Sequence, residues 1–105
     1  MIKVTVLYPN TKGTNFDFDY YLTKHIPMVT EVLGKSLRST IVERGTSGMT
    51  PGTPPDYICI CHLFFDSVES FMGSFMPVAM KVQGDMMNYT DIEPVIQFSD
   101  VLINK

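Results

Sequence analysis

The chain has 105 residues, enough for one domain spanning 1–105; a chain of this size buries about 60–70% of its unfolded surface on folding. Nearly half of the residues are hydrophobic and the formal charge is −3 with no cluster of lysine and arginine, which argues against disorder and leaves no electrostatic footprint for nucleic acid. No apolar run approaches the roughly 20 residues that cross a bilayer, and Met1 leads into an alternating pattern rather than a signal peptide, so a cytoplasmic protein without a membrane partner is expected.

Ile2 to Pro9 alternates, with Ile2, Val4, Val6 and Tyr8 on one face, and reads as a strand. A polar connector, Asn10 to Asn15, leads to the clearest element, a helix over Phe16 to Leu33 with Asp17 as N-cap and Gly34 as the stop. Its apolar stripe holds Phe18, Tyr21, Leu22, His25, Met28, Val29, Val32 and Leu33, and His25 is the one strongly polar member. Pro27 cannot donate an amide and its ring crowds the carbonyl of Thr23, so a bend is expected beside His25.

Leu37 to Arg44 is rich in β-branched residues and reads as a second strand. Thr46 to Pro55 is too dense in glycine and proline for a regular element and is expected to be a mobile loop. Tyr57 to Phe65 is a third strand, apolar on both faces, and Asp66 with Glu69 reads as a capping box for a short helix that Pro77 interrupts. A second helical piece follows, and Val95 to Ile103 supplies the last strand.

The order βαββαβ predicts an α+β, ferredoxin-like fold: a four-stranded antiparallel sheet with the helices on one face. The two-sided third strand would then leave one apolar set in water, and the expected cover is the same face of a second copy, making a homodimer. Cys59 and Cys61 stand two apart on a strand and share a face, so reduced thiols are expected rather than a disulfide.

Four segments, VLYPN at Val6 to Asn10, FDFDYYLTKHIPMV at Phe16 to Val29, HLFFDSVESF at His62 to Phe71 and NYTDIEPVIQFSDV at Asn88 to Val101, resemble the EthD family, named for a protein associated with degradation of ethyl tert-butyl ether. Paired methionines, Met86 and Met87, depart from the resemblance where a proline is more usual. It implies the dimeric α/β-barrel superfamily, whose members are small dimers with a cavity and include cofactor-free monooxygenases, polyketide cyclases, lactone isomerases and heme-handling proteins.

Chemistry is expected at His25, whose unperturbed pKa suits acid–base work near neutrality, with Tyr21 one turn earlier sharing the site. Leu22, Met28, His62 and Met86 are expected to contact a small apolar, aromatic or oxygenated ligand between helices and sheet, and Met72, Met76, Met80 and Met87 to shape a forgiving wall. Asp91 and Glu93 are candidates to orient the imidazole. A zinc site gathering Cys59, Cys61, His62 and His25 lacks the usual ligand spacing, so no metal and no cofactor is expected. Heme on His25 is an option carried only by superfamily analogy.

Two functions follow. One is an enzyme in which His25 moves a proton during oxidation, isomerisation or cyclisation. The other is a non-catalytic module that binds a small molecule or supports a partner oxygenase in a degradation pathway.

Overall fold

A computed structural model describes residues 1–105. Its strands are β1 (Ile2–Pro9), β2 (Ser39–Arg44), β3 (Tyr57–Phe65) and β4 (Val95–Asp100). The helices are α1 (residues 18–33), α2 (Val68–Phe75) and α3 (Ala79–Gly84). The sheet order is β2-β3-β1-β4 and every neighbouring pair is antiparallel. Strands β1 and β2 therefore run the same way with β3 between them, the split βαβ arrangement of a ferredoxin-like fold.

Strand register decides which residues meet the helices. Val4 lies opposite Leu63 and Phe98, and Val6 opposite Cys61 and Ile96. This face packs Ile2, Val4, Cys61, Leu63 and Phe65 against Val29, Leu33 and Phe71 in one core cluster. A second cluster, Tyr8, Tyr21, Cys59, Tyr89 and Ile92, lies at the other end. The alternate residues of β3, Ile60, His62 and Phe64, face away from the helices beside Lys3, Thr5 and Leu7 of β1, while Ile58, at the register shift, packs against the second cluster. Only 16 of 105 residues are buried, because this second face has no layer over it.

Helix α1 starts as its sequence dictates, with Asp17 accepting from the amide of Tyr20 at 3.0 Å. It departs from the expected bend at Pro27. Residues Tyr21–His25 form a π-helical turn, closed by the Ile26 amide reaching the Tyr21 carbonyl, and Pro27 sits in the first turn of the following α segment, where its missing amide is tolerated. The buried residues of this helix, Tyr21, His25, Val29 and Leu33, are spaced by four. A seam of strict four-residue spacing drifts around a helix of 3.6 residues per turn, and one wide turn takes up that drift. Such turns are frequent at functional sites.

Two boundaries move for identifiable reasons. Ser67 rather than Asp66 caps α2, accepting from the Ser70 amide at 3.0 Å, because Asp66 is engaged by the Arg38 guanidinium at 3.1 and 2.7 Å. Strand β4 ends at Asp100 instead of Ile103, since β1 is its neighbour and begins at Ile2, the partner of Asp100. Leu102 and Ile103 are consequently exposed. Residues 46–55 contain no helix or strand.

Candidate functional site

The segment after α3 is clasped against the start of α1. Phe16 bridges Thr90, the Asp17 amide donates to the Tyr89 carbonyl at 2.7 Å, and the Thr90 hydroxyl donates to the Asn15 carbonyl at 2.7 Å. This clasp carries Asp85 and Tyr89 to opposite sides of the His25 ring. Nδ1 of His25 lies 2.9 Å from Oδ2 of Asp85. The other carboxylate oxygen accepts from the Tyr20 hydroxyl at 2.7 Å and from Nδ2 of Asn88 at 2.9 Å. On the far side, Nε2 faces the Tyr89 hydroxyl at 3.5 Å, and that hydroxyl shares a hydrogen bond of 2.8 Å with Tyr8.

His25 is 5% exposed and enclosed by aromatic rings. Tyr21 stacks on it with ring centres 5.4 Å apart, and the Tyr89 ring lies 4.6 Å away. Burial pushes the His25 pKa below its ordinary value, opposed by the hydrogen bond and charge of Asp85. For Asp85, burial favours the acid form, but hydrogen bonds from Asn88, Tyr20 and His25 together outweigh it and hold the carboxyl below its usual range. The ring is thus neutral near pH 7, with Nδ1–H donating to an ionised carboxylate and Nε2 carrying a lone pair. Burial also raises Tyr8 to about 12 and Tyr89 well above its ordinary value, so both remain donors.

These shifts set a pH dependence. His25 has a folded pKa below 6.5, so the unfolded chain takes the proton first; the stability this contributes is present above that value and is lost as pH falls through the folded one. Asp85, depressed below 3.8, adds a second loss at lower pH of the same sign. The melting temperature should fall on acidification from neutrality, and His25→Gln should flatten the first part of that fall. A variant whose melting temperature tracks the native profile throughout would contradict the buried neutral imidazole.

An apolar chamber of about 260 Å³ lies against the main core cluster, between α1, α2 and the sheet. Val4, Leu63, Phe71, Phe75 and Phe98 wall it, Met72 and Met76 flank its mouth, and Gln83 is its polar side chain. His25 does not line it. Its closest sequence neighbours on the wall are Val29, one turn further along α1, and Gln83, two residues before Asp85.

The residues singled out from sequence are therefore divided. Tyr21 is fully buried against the imidazole, but its phenol is surrounded by Cys61, Tyr8 and Cys59 and is pushed far up, first by burial. Leu22 leaves the stripe: the four-residue seam turns it outward, 48% exposed. Met28 is half-buried against the main core and Met86 against the tyrosine cluster; neither lines the chamber. His62 lies on the helix-free face, its Nε2 2.9 Å from Oε1 of Glu43, because its even place in β3 points it away from the helices. It cannot meet a ligand in the chamber, and it cannot converge with Cys59 and Cys61. Met80 is exposed, and Met87 borders a separate outer recess. Asp91 accepts from the Asn15 amide at 2.9 Å and so serves the clasp, not the imidazole.

Asp85, Tyr20, Asn88, Tyr89 and Tyr8 are the members that sequence reasoning did not assign. The matching segments that hold Tyr8, Tyr20 and Asn88 with Tyr89 were pointers to those four, while Asp85 lies in none of them. Cys59 and Cys61 are free, buried thiols raised by that burial to about 12 and about 11, which keeps them protonated and inert.

The sequence profile of the EthD domain matches residues 14–93. Among solved structures, an EthD-like protein of Ralstonia eutropha is 40% identical over 99% of this chain and 94% of its own, with a TM-score of 0.95. A protein of the ethyl tert-butyl ether (EthD) family from Bacillus halodurans is 20% identical over 97% and 99%, with a TM-score of 0.74. A protein of Arabidopsis thaliana is 13% identical over 100% and 99%, with a TM-score of 0.69; these last two likenesses concern the fold. No protein of curated function matches. No helix is long and apolar enough to cross a membrane.

Proposed function

The chain belongs to the EthD family, and from that premise we propose that it is a homodimer that binds a small apolar molecule and uses His25 as a proton-transferring base. The observation that carries this reading is the 2.9 Å pair between Nδ1 and Asp85 in a buried setting. It commits one ring nitrogen to a carboxylate and leaves Nε2, neutral at working pH, as the base. For this chemistry a ligand in the chamber must reach past the wall at Val29 and Gln83, because His25 and Tyr89 are 5% and 4% exposed and neither lines the chamber.

Oxidation, isomerisation and cyclisation of a carbonyl compound share a first step that this geometry supports. Nε2 accepts the proton from the carbon beside the carbonyl, the C–H bond breaks, and its electron pair becomes the C=C bond of an enolate. The developing negative oxygen takes a hydrogen bond from the Tyr89 hydroxyl, itself supported by Tyr8. Heme fits the chamber poorly, since no histidine, cysteine or tyrosine lines it.

Deuterium exchange into β-tetralone, a bicyclic ketone with acidic C–H bonds, tests the step without the natural substrate. The native protein should accelerate exchange, and His25→Gln should reduce that acceleration by about 10²–10⁴-fold with the fold retained. Binding of the ketone by the native protein with no acceleration would sink the catalytic reading and favour the binding or accessory role. A His25→Gln variant that only loses about 1–3 kcal/mol of stability would mark a structural histidine.

A further inference from the structure

We propose that Gln83 is the specificity-determining residue of the chamber and that the ligand is a neutral, largely hydrocarbon molecule bearing one hydrogen-bonding oxygen, with anions excluded. This rests on the reading of the chamber as the ligand site and goes further by assigning the charge and polarity of what enters it.

The lining carries the inference. Eleven of the twelve residues around the chamber are hydrophobic, and Gln83 is the twelfth. No lysine, arginine or histidine borders it, so a carboxylate or phosphate placed there would lose its hydration with nothing to replace it. The next recess outward, which Gln83 also borders, holds the carboxylates Asp91 and Glu93 and again no cation. An anionic head projecting from the mouth would therefore meet like charge, in a chain whose net charge is already −3. The Gln83 amide both donates and accepts, so it can pair with a hydroxyl, a ketone or an ether oxygen. Size sets the rest: a dry cavity of about 150 Å³ accepts benzene, and at about 260 Å³ this chamber has room for a fused bicyclic ring or an aliphatic body of similar bulk.

Three probes of one shape separate the possibilities: naphthalene, naphthol and naphthoate, titrated calorimetrically into the native protein, Gln83→Leu and Met72→Trp. Gln83 and Met72 both reach solvent, so both variants should fold, which circular dichroism checks. The native protein should bind naphthol about 2- to 12-fold more tightly than naphthalene, the range of one net hydrogen bond, and naphthoate at least about 10-fold more weakly than naphthol. Gln83→Leu should erase the preference for naphthol while keeping naphthalene binding, and Met72→Trp, which fills the mouth, should weaken all three. Naphthoate binding as tightly as naphthol, or a naphthol preference that survives Gln83→Leu, overturns the assignment while leaving small-molecule binding intact. Naphthalene binding unaffected by Met72→Trp overturns the chamber as its place. Failure of all three probes to bind the native protein overturns the binding reading itself and this inference with it.

Discussion

Lysine at position 60 should turn the proposed dimer into a folded monomer, while lysine one residue later should unfold the chain. Ile60 lies on the helix-free face between Leu7 of β1 and Glu43 of β2, among Phe64, Ile41 and Val95. Ile41 is 45% and Val95 52% exposed in the single chain, and these apolar side chains, set among Lys3, Thr5, His62 and Glu43 on the same face, form the surface that two copies would cover. Removing one partner from a buried charge pair costs about 3–5 kcal/mol. A lysine buried in this interface carries a penalty of that kind, twice over in a symmetric dimer, because the Glu43 carboxylate opposite it is already engaged by His62. At 1.4 kcal/mol per tenfold, association should weaken by more than about 100-fold. In the separated monomer the same lysine stands in solvent opposite Glu43 at little cost, so the fold should persist. Cys61, by contrast, is 2% exposed and points into the helix-side core, where no carboxylate waits for a charge. Sedimentation velocity separates the outcomes: Ile60→Lys sedimenting as the native protein does would rule out this face as the interface.

That contrast between adjacent residues was legible in the sequence, because side chains alternate along a strand and β3 is apolar on both faces; only the choice of which set faced the helices awaited the structure. The strand and helix order, the Asp17 cap and the Gly34 stop were legible for the same reason, since each rests on residues close in the chain. What was not legible depends on partners far away. Asp66 looked like a cap until Arg38, 28 residues earlier, engaged it, and β4 looked longer because its neighbour's starting point cannot be read from its own composition. Leu22 fitted a stripe drawn for an ordinary α-helix, and no local signal announced the π turn that rotates it outward. His25 was found by its isolation in that stripe, but Asp85, 60 residues on, sits in a turn of unremarkable sequence. Its role arises only when the clasp between residues 15–17 and 89–91 brings it back to the helix.

Asp85→Asn should damage exchange about as much as loss of the imidazole itself, with the backbone unchanged. The carboxylate accepts from three groups at once, Nδ1 of His25, the Tyr20 hydroxyl and Nδ2 of Asn88, and an amide of the same shape can donate where the carboxylate could only accept. If its NH₂ turns toward His25, Nδ1 must become the acceptor, so the ring proton moves to Nε2. The nitrogen that faces Tyr89 is then a donor and no longer a base. If its oxygen turns toward His25 instead, the tautomer survives, but the NH₂ faces the Tyr20 hydroxyl and Asn88, and Asn88 already presents its own donors. Either arrangement removes the negative charge that stabilises the imidazolium formed when Nε2 takes a proton. The His25 pKa, already lowered by burial, should fall further, and exchange into β-tetralone should drop by about 10²–10⁴-fold, as for loss of a positioned base. Nitrogen-15 NMR of the imidazole reads the cause directly, through the tautomer and the titration midpoint, in a way that a simple loss of packing would not reproduce. Tyr20→Phe and Asn88→Ala, which each remove one donor to the carboxylate and keep its charge, should leave exchange much closer to native than Asp85→Asn does. An Asp85→Asn protein with native exchange rates and a native His25 titration would show that the carboxylate does not govern the imidazole and would leave the histidine without its proposed chemistry.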